Sequence, residues 1–114
     1  MTERESKIQR QCQSIIRKYN GYVFKNNGNI YTEKGRPDLT ACVPIKVSKL
    51  RELLGDDGKI GIFVGIELKR ENHLNEVSDA QKIVGDKIKN AKGIWIATDC
   101  ADIVEALMIK FTGE

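Results

Sequence analysis

The residues with the greatest chemical reach stand two positions apart, Glu67 and Lys69 in Ile66-Glu67-Leu68-Lys69. In an extended chain such residues share one face at a spacing of about 6.6 Å, so a carboxylate and an ammonium lie on one surface. The pair could hold a hard cation and stabilise a developing anion. It also describes an ordinary salt bridge on a solvated strand. Asp38 strengthens the first reading. In Gly35-Arg36-Pro37-Asp38 the glycine permits a sharp turn and the proline stiffens the approach, delivering a poor strand former to the start of a strand. The ordinary alternative is a turn aspartate that accepts backbone N–H groups. If its strand pairs with the one ending at Glu67, the two carboxylates converge at one end of a sheet.

Helices supply two more polar groups. Glu5, three residues before Ile8 and seven before Cys12, extends an apolar stripe, although a first-turn glutamate is also favoured by the helix dipole. Gln81 flanks the inward face of a second helix, three residues before Val84 and seven before Ile88; a solvent-facing glutamine is the plain alternative. Glu5, Asp38, Glu67, Lys69 and Gln81 thus form one candidate cluster. Desolvating three carboxylates costs several kcal/mol per ion unless something compensates. A divalent cation does so, and an all-oxygen donor set selects Mg2+ or Mn2+ over zinc. His73, the single histidine, falls in a polar loop and is expected to be solvated.

The elements that must position these residues follow from periodicity. Ile8, Cys12, Ile15, Ile16 and Tyr19 predict a helix over 3–19 with one buried stripe, ended by Asn20-Gly21 as a glycine cap. Two short strands, 22–25 and 29–32, flank Asn26-Asn27-Gly28 as a hairpin, and a third runs over 38–43 until Pro44 stops it. Residues 45–57 read as a helical insertion in which Ser48 caps a short helix. Over 59–69, Ile60, Ile62, Val64, Ile66 and Leu68 alternate as one face of a long strand. Ser78 caps a helix over 78–91 that buries Ala80, Val84, Ile88 or the Lys87 stem, and Ala91. A buried strand over 94–98 precedes a last helix, capped by Thr98 or Asp99, with Ile103, Val104, Leu107, Met108 and Phe111 inward. The expected fold is α/β, a mixed sheet flanked by helices in a single domain over 1–114.

Composition excludes several classes. The chain has 114 residues, 40% hydrophobic and 31% charged, with two prolines and ten glycines, which suits one compact domain and no large multidomain enzyme. Its longest apolar runs fall far short of the roughly 20 residues that span a bilayer. The charged N-terminus lacks the apolar stretch of a signal peptide, so a cytoplasmic address is expected. Cys12, Cys42 and Cys100 form no C-x-x-C pair, and the expectation is three reduced, buried thiols. The net charge of +3 is uneven: residues 1–98 carry 18 basic and 12 acidic side chains, residues 99–114 one and four. A basic body suits a polyanionic partner without proving one.

With Gly-Arg-Pro-Asp-Leu at 35–39, Ile-Glu-Leu-Lys at 66–69, Ser-Asp-Ala-Gln at 78–81 and Glu-Ser-Lys-Ile-Gln at 5–9, the chain resembles the VRR-NUC (virus-type replication-repair nuclease) group of the PD-(D/E)XK nuclease superfamily. Four short motifs occur in order over nearly the whole length. The resemblance implies the restriction-endonuclease-like fold and Mg2+- or Mn2+-dependent hydrolysis of DNA phosphodiesters. Carried over by position, Asp38 and Glu67 are the principal metal ligands, with the Leu68 carbonyl as a backbone ligand and Glu5 as the acidic residue on the helix. Lys69 matches the lysine that orients or activates water, and Gln81 the glutamine that positions it or the metal site. Stand-alone members of phage and bacterial origin associate as homodimers that cut branched DNA such as four-way junctions, and the same is expected here. The 45–57 segment and the acidic loop 71–77 depart from a minimal member and bear on substrate choice.

Lys7, Arg10, Arg36, Arg70 and Lys82 are the expected phosphate contacts, each otherwise a solubilising surface charge. The expected step is in-line attack by a metal-polarised water. Two rivals stand beside it: a catalytically silent DNA-binding or assembly module with the nuclease fold, and a small scaffold with no nucleic-acid partner.

Overall fold

Helix formation follows the apolar spacing, but burial does not follow it everywhere. The structure is a computed structural model that describes residues 3–28 and 33–113. Helix α1, Glu3–Lys18, turns Cys12 and Ile16 partly inward, whereas Ile8, Ile15 and Tyr19 are 48%, 56% and 65% exposed. The predicted stripe is therefore only half used. Asn20, not Gly21, takes the left-handed conformation (φ 68°) that ends α1. Gly21 supplies space instead: a Cβ there would lie 2.7 Å from Ile16 Cγ2 and 3.2 Å from the Cys42 carbonyl oxygen.

Strand β1, Tyr22–Lys25, pairs antiparallel with β2, Leu39–Cys42, in register from Tyr22↔Cys42 to Lys25↔Leu39. The strand predicted over 29–32 lies outside the described residues. The short helix expected in the insertion follows one 3-10 turn, Val47–Lys49, and is a single helical turn, α2, Leu50–Leu53. Ser48 sits inside the first turn and does not cap the second, whose N-cap Lys49 makes no side-chain cap bond.

Strand β3, Val64–Leu68, pairs parallel with β4, Ile94–Thr98, and helix α3, Asp79–Asn90, connects them. The strand predicted over 59–69 is thus five residues long, because β4 offers only five partners; the last bond beyond the ladder runs from Ile94 N–H to the Phe63 carbonyl. The described strands form two two-stranded sheets, β1–β2 and β3–β4, within a mixed α/β architecture, instead of one mixed sheet. Each strand has one paired edge among the described residues.

The faces of β3 are also the reverse of the simplest expectation. Ile66 and Leu68 of β3 are exposed and Val64 is half-buried, with Ile60 and Ile62 exposed ahead of the strand, whereas Gly65 and Glu67 lie beneath α3. The physical cause is steric. Trp95 is the register partner of Gly65, and a Cβ on Gly85 of α3 would come within 2.6 Å of the Trp95 indole. Two glycines therefore let α3 settle over the Gly65–Trp95 side, where Ile88 fills the core. Among the described residues the buried apolar side chains are Val23, Cys42, Ile88 and Ala91. Ala80 and Val84, expected inside, are exposed, and so is Lys87.

Helix α4, Ala101–Thr112, has Cys100 as N-cap with no side-chain cap bond. Both predicted caps are engaged elsewhere: the Thr98 hydroxyl bonds the backbone of Cys100, and the Asp99 carboxylate accepts the Asn72 N–H at 2.8 Å. Val104 and Leu107 are half-buried, but Ile103, Met108 and Phe111 are exposed. All three cysteines are free; Cys42 is buried, Cys12 half-buried and Cys100 exposed, which corrects the expectation that all three are buried. No helix among the described residues is long and apolar enough to cross a membrane.

Candidate functional site

The site is built at the C-terminal end of β3 and the first turn of α3. Glu67 Oε1 accepts a short hydrogen bond from Gln81 Nε2 and lies 3.6 Å from Lys69 Nζ. The Glu67 and Lys69 side chains are 29% and 18% exposed, so water screens the pair less than it would at an open surface. Alternation puts both residues on the α3 side of β3, and the Lys69 N–H anchors the strand end on the Thr98 carbonyl at 3.0 Å.

Gln81 is itself fixed by a capping box. The Ser78 hydroxyl accepts the Gln81 N–H at 3.1 Å, and Gln81 Oε1 accepts the Ser78 N–H at 2.9 Å. This satisfies donors that an uncapped helix start leaves open. With Oε1 committed to the backbone, Nε2 is the end of the amide that faces Glu67. The short motif at 78–81 thus specifies both a helix start and the orientation of a carboxylate.

A second polar group lies between α1 and the start of β2. Glu5 and Asp38 line one cleft of about 210 Å³ together with Gln9, Cys12 and Leu39. Both acidic residues are exposed. The approach to Asp38 is held by Asn26, whose side-chain amide donates to the Pro37 carbonyl at 2.9 Å and to Thr40 Oγ1 at 2.7 Å. The Asn26 N–H also donates to the Asp38 carbonyl at 2.9 Å. Sequence reading placed Asn26 in a turn and missed this clamp. Its signal was an Asn directly following a strand, a residue equipped to hydrogen-bond nearby backbone.

The five candidate residues therefore fall into two groups. Glu67 touches both Lys69 and Gln81, and Glu5 and Asp38 share a cleft. The β2–β3 pairing that would bring the carboxylates to one sheet end is not formed among the described strands, since β2 pairs with β1 and β3 with β4. Among the described residues no group of three or more His, Cys, Asp or Glu side chains could hold a metal ion. The donor atoms of Asp38, Glu67 and the Leu68 carbonyl are all oxygen, the type a hard divalent cation takes, but Asp38 stands with Glu5 and not in the Glu67 group.

Loop 70–77 carries the remaining charges near Glu67. His73 is half-buried and not simply solvated: its Nδ1 lies 2.7 Å from Glu76 Oε1, and Arg70 reaches the same oxygen at 3.4 Å. Asn72, with φ 65°, bends the loop, and its N–H is tied to Asp99. Of the other expected phosphate contacts, Lys7 and Arg10 line a shallow hollow on α1, and Arg36 and Lys82 are exposed. Comparison of the chain with family models, curated proteins and solved structures returns no match.

Proposed function

We propose that the chain is a metal-dependent DNA endonuclease of the PD-(D/E)XK type that hydrolyses phosphodiester bonds in branched DNA such as four-way junctions, acting as a homodimer in the cytoplasm of a bacterium or of a phage-infected host. The observation that carries this reading is the contact of Glu67 with both Lys69 and Gln81. A carboxylate clamped between an ammonium and a positioned amide, at the end of a strand and partly shielded from water, exceeds the needs of a surface salt bridge. The basic body of the chain supports a polyanionic substrate. The apolar surface on α4 and on the outer face of β3 is where a second copy would find area to bury.

In this reading Gln81 holds the Glu67 carboxylate in one orientation, and Lys69 presents a positive charge to a negatively charged oxygen of the reacting phosphodiester. Asp38, stiffened by Pro37 and clamped by Asn26, contributes the second carboxylate, and Glu5 lies behind it in the same cleft. If brought together on one ion, Asp38, Glu67 and the Leu68 carbonyl would hold Mg2+ or Mn2+, which would supply Lewis-acid polarisation of water and phosphate oxygens. Arg36, Arg70, Lys7, Arg10 and Lys82 would contact the DNA backbone.

A second reading, a catalytically silent DNA-binding or assembly module, is favoured by one observation: the acidic residues stand in two groups. Cleavage of a panel of branched and linear DNAs in Mg2+, Mn2+ or chelator separates the two. The expected result is metal-dependent cleavage that Asp38→Ala and Glu67→Ala each abolish, with binding in Ca2+ retained. Wild-type cleavage in either variant overturns the site assignment, and intact binding without cleavage in the parent chain establishes the silent module. Lys69→Ala is expected to lower turnover more than affinity.

A further inference from the structure

The C-terminal ends of α1 and α3 meet at Cys42. A Cβ on Gly21 would lie 3.2 Å from the Cys42 carbonyl oxygen, and one on Gly93 would lie 2.8 Å from Cys42 Sγ, which donates to the Ala91 carbonyl at 3.5 Å. Two short glycine contacts on one residue leave a concave surface of about 570 Å³ between the helix ends. Arg17, Lys87 and Lys92 line it with the amides of Asn20 and Asn90, and among the described residues no carboxylate does.

Neighbouring cations on the same helix ends have partners. Lys18 lies over the Tyr19 ring at 5.8 Å and Lys89 over the Trp95 ring at 5.4 Å. Arg17, Lys87 and Lys92 form no ion pair with any described residue. Helix C-termini attract cations, and that ordinary role has a definite size. Each helix end carries roughly half a negative charge, so the two together offset about one of the three cations. Their terminal carbonyls are moreover occupied: Ile16 O accepts from Tyr19 and Gly21, Ile88 O from Gly93 and Lys89 O from Lys92. A surplus of about two positive charges remains in a concave cleft that no carboxylate among the described residues lines.

We propose that this cleft binds the phosphodiester backbone of a nucleic acid, as a second contact distinct from the Glu67 end of α3. Gln81 and Asn90 are nine residues apart on one helix, which at about 1.5 Å per residue is roughly 14 Å. That distance matches about four steps of a DNA strand at 3.4 Å each. A duplex arm engaged at the cleft thus lies within reach of the Glu67 group. The inference takes the identity of its ligand from the nuclease reading, but its test needs no cleavage.

The test is DNA binding by the full chain in chelator, followed by fluorescence anisotropy across a salt titration, for the parent and for Arg17→Gln/Lys87→Gln/Lys92→Gln. The triple variant is expected to bind at least tenfold more weakly at about 0.1 M salt, with a log–log salt slope shallower by about 2 to 3, since each phosphate contact contributes about 0.9. The charge-preserving variant Arg17→Lys/Lys87→Arg/Lys92→Arg is expected to bind within about threefold of the parent. Unchanged affinity and slope in the glutamine variant overturn the proposal, even if its melting temperature falls, because that result assigns the cations to helix ends alone. Equal loss in the charge-preserving variant overturns it as well. Displacement of DNA by a few millimolar inorganic phosphate identifies a free-anion site and overturns the nucleic-acid assignment. Hydrolysis of bis(p-nitrophenyl) phosphate in Mn2+ is expected to be equal in parent and glutamine variant. If neither hydrolyses it and the binding loss is still seen, the nuclease reading fails and the cleft stands.

Discussion

Gln81 and Glu67 are joined by a hydrogen bond whose donor is also half of a helix cap: Oε1 of the glutamine accepts the Ser78 N–H while Nε2 donates to the carboxylate. A group that serves backbone and site together cannot be changed without separable consequences. Gln81→Ala is expected to lower stability by about 1 kcal/mol, from the lost side-chain hydrogen bonds. Gln81→Glu keeps an acceptor for Ser78 and removes the donor to Glu67, setting two carboxylates against each other. Cleavage in Mn2+ should therefore fall in both variants, while thermal melting shows a smaller stability loss from cap disruption in Gln81→Glu. Equal cleavage by Gln81→Glu and the parent would show that the bond to Glu67 has no part in activity.

Asn26 offers a test of the other carboxylate. Its amide holds the Pro37 carbonyl and the Thr40 hydroxyl, two bonds worth about 1 kcal/mol each. Asn26→Asp keeps size but loses the donors. Hydrogen exchange over residues 36–40 should speed up in Asn26→Asp, and cleavage should fall with little change in DNA affinity. Unaltered exchange in that segment would remove Asn26 from the positioning of Asp38.

The height of α3 above β3 depends on Gly85. An added methyl would lie 2.6–2.8 Å from three carbons of the Trp95 indole, which is rigid, so the helix must move. Gly85→Ala is expected to destabilise the chain by about 1–3 kcal/mol. Because Gln81 is one turn away on the same helix, cleavage should fall more steeply than the folded fraction. Tryptophan emission reports the displacement directly, as the chain has one tryptophan.

Burial pushes the Cys42 thiol up from its ordinary range. The unfolded chain therefore loses this proton first as pH rises, and between the unfolded and folded values added alkali favours unfolding. Stability should be unaffected by this group below about pH 8 and decline above about 8.5, the usual thiol value. Denaturant titration from pH 7 to 10 measures the slope. Cys42→Ala lowers stability at every pH and should remove the part of the alkaline decline due to this thiol. Exposed Cys100 should react with a thiol reagent in the native state while Cys42 does not.

Much of the secondary structure was legible because it depends on short-range chemistry. The Ser78-Asp79-Ala80-Gln81 start of α3, the Pro44 limit of β2, the strand over 94–98 and the two-residue spacing of Glu67 and Lys69 are local facts, and all survive folding. Partner choice is not local. Ile60, Ile62, Ile66 and Leu68 alternate perfectly, yet they face outward, because whether a face is covered depends on what packs against it. Here Gly65 and Gly85 open the opposite side to Trp95 and α3.

The same distinction separates the halves of the candidate site. Residue types at 5, 38, 67, 69 and 81, and the chemistry they permit, are properties of the sequence. Contact of Glu67 with Lys69 and Gln81 required α3 to dock over β3, a matter of glycine clearances far apart in the chain. Thr98 and Asp99 look like helix caps in sequence, but tertiary partners engage them first, Thr98 with Cys100 and Asp99 with Asn72. Strand pairing then decided that Asp38 stands with Glu5, since β2 takes β1 as its neighbour and β3 takes β4. Local preferences are set within a few residues, whereas the meeting of distant groups depends on which surfaces can approach without steric conflict.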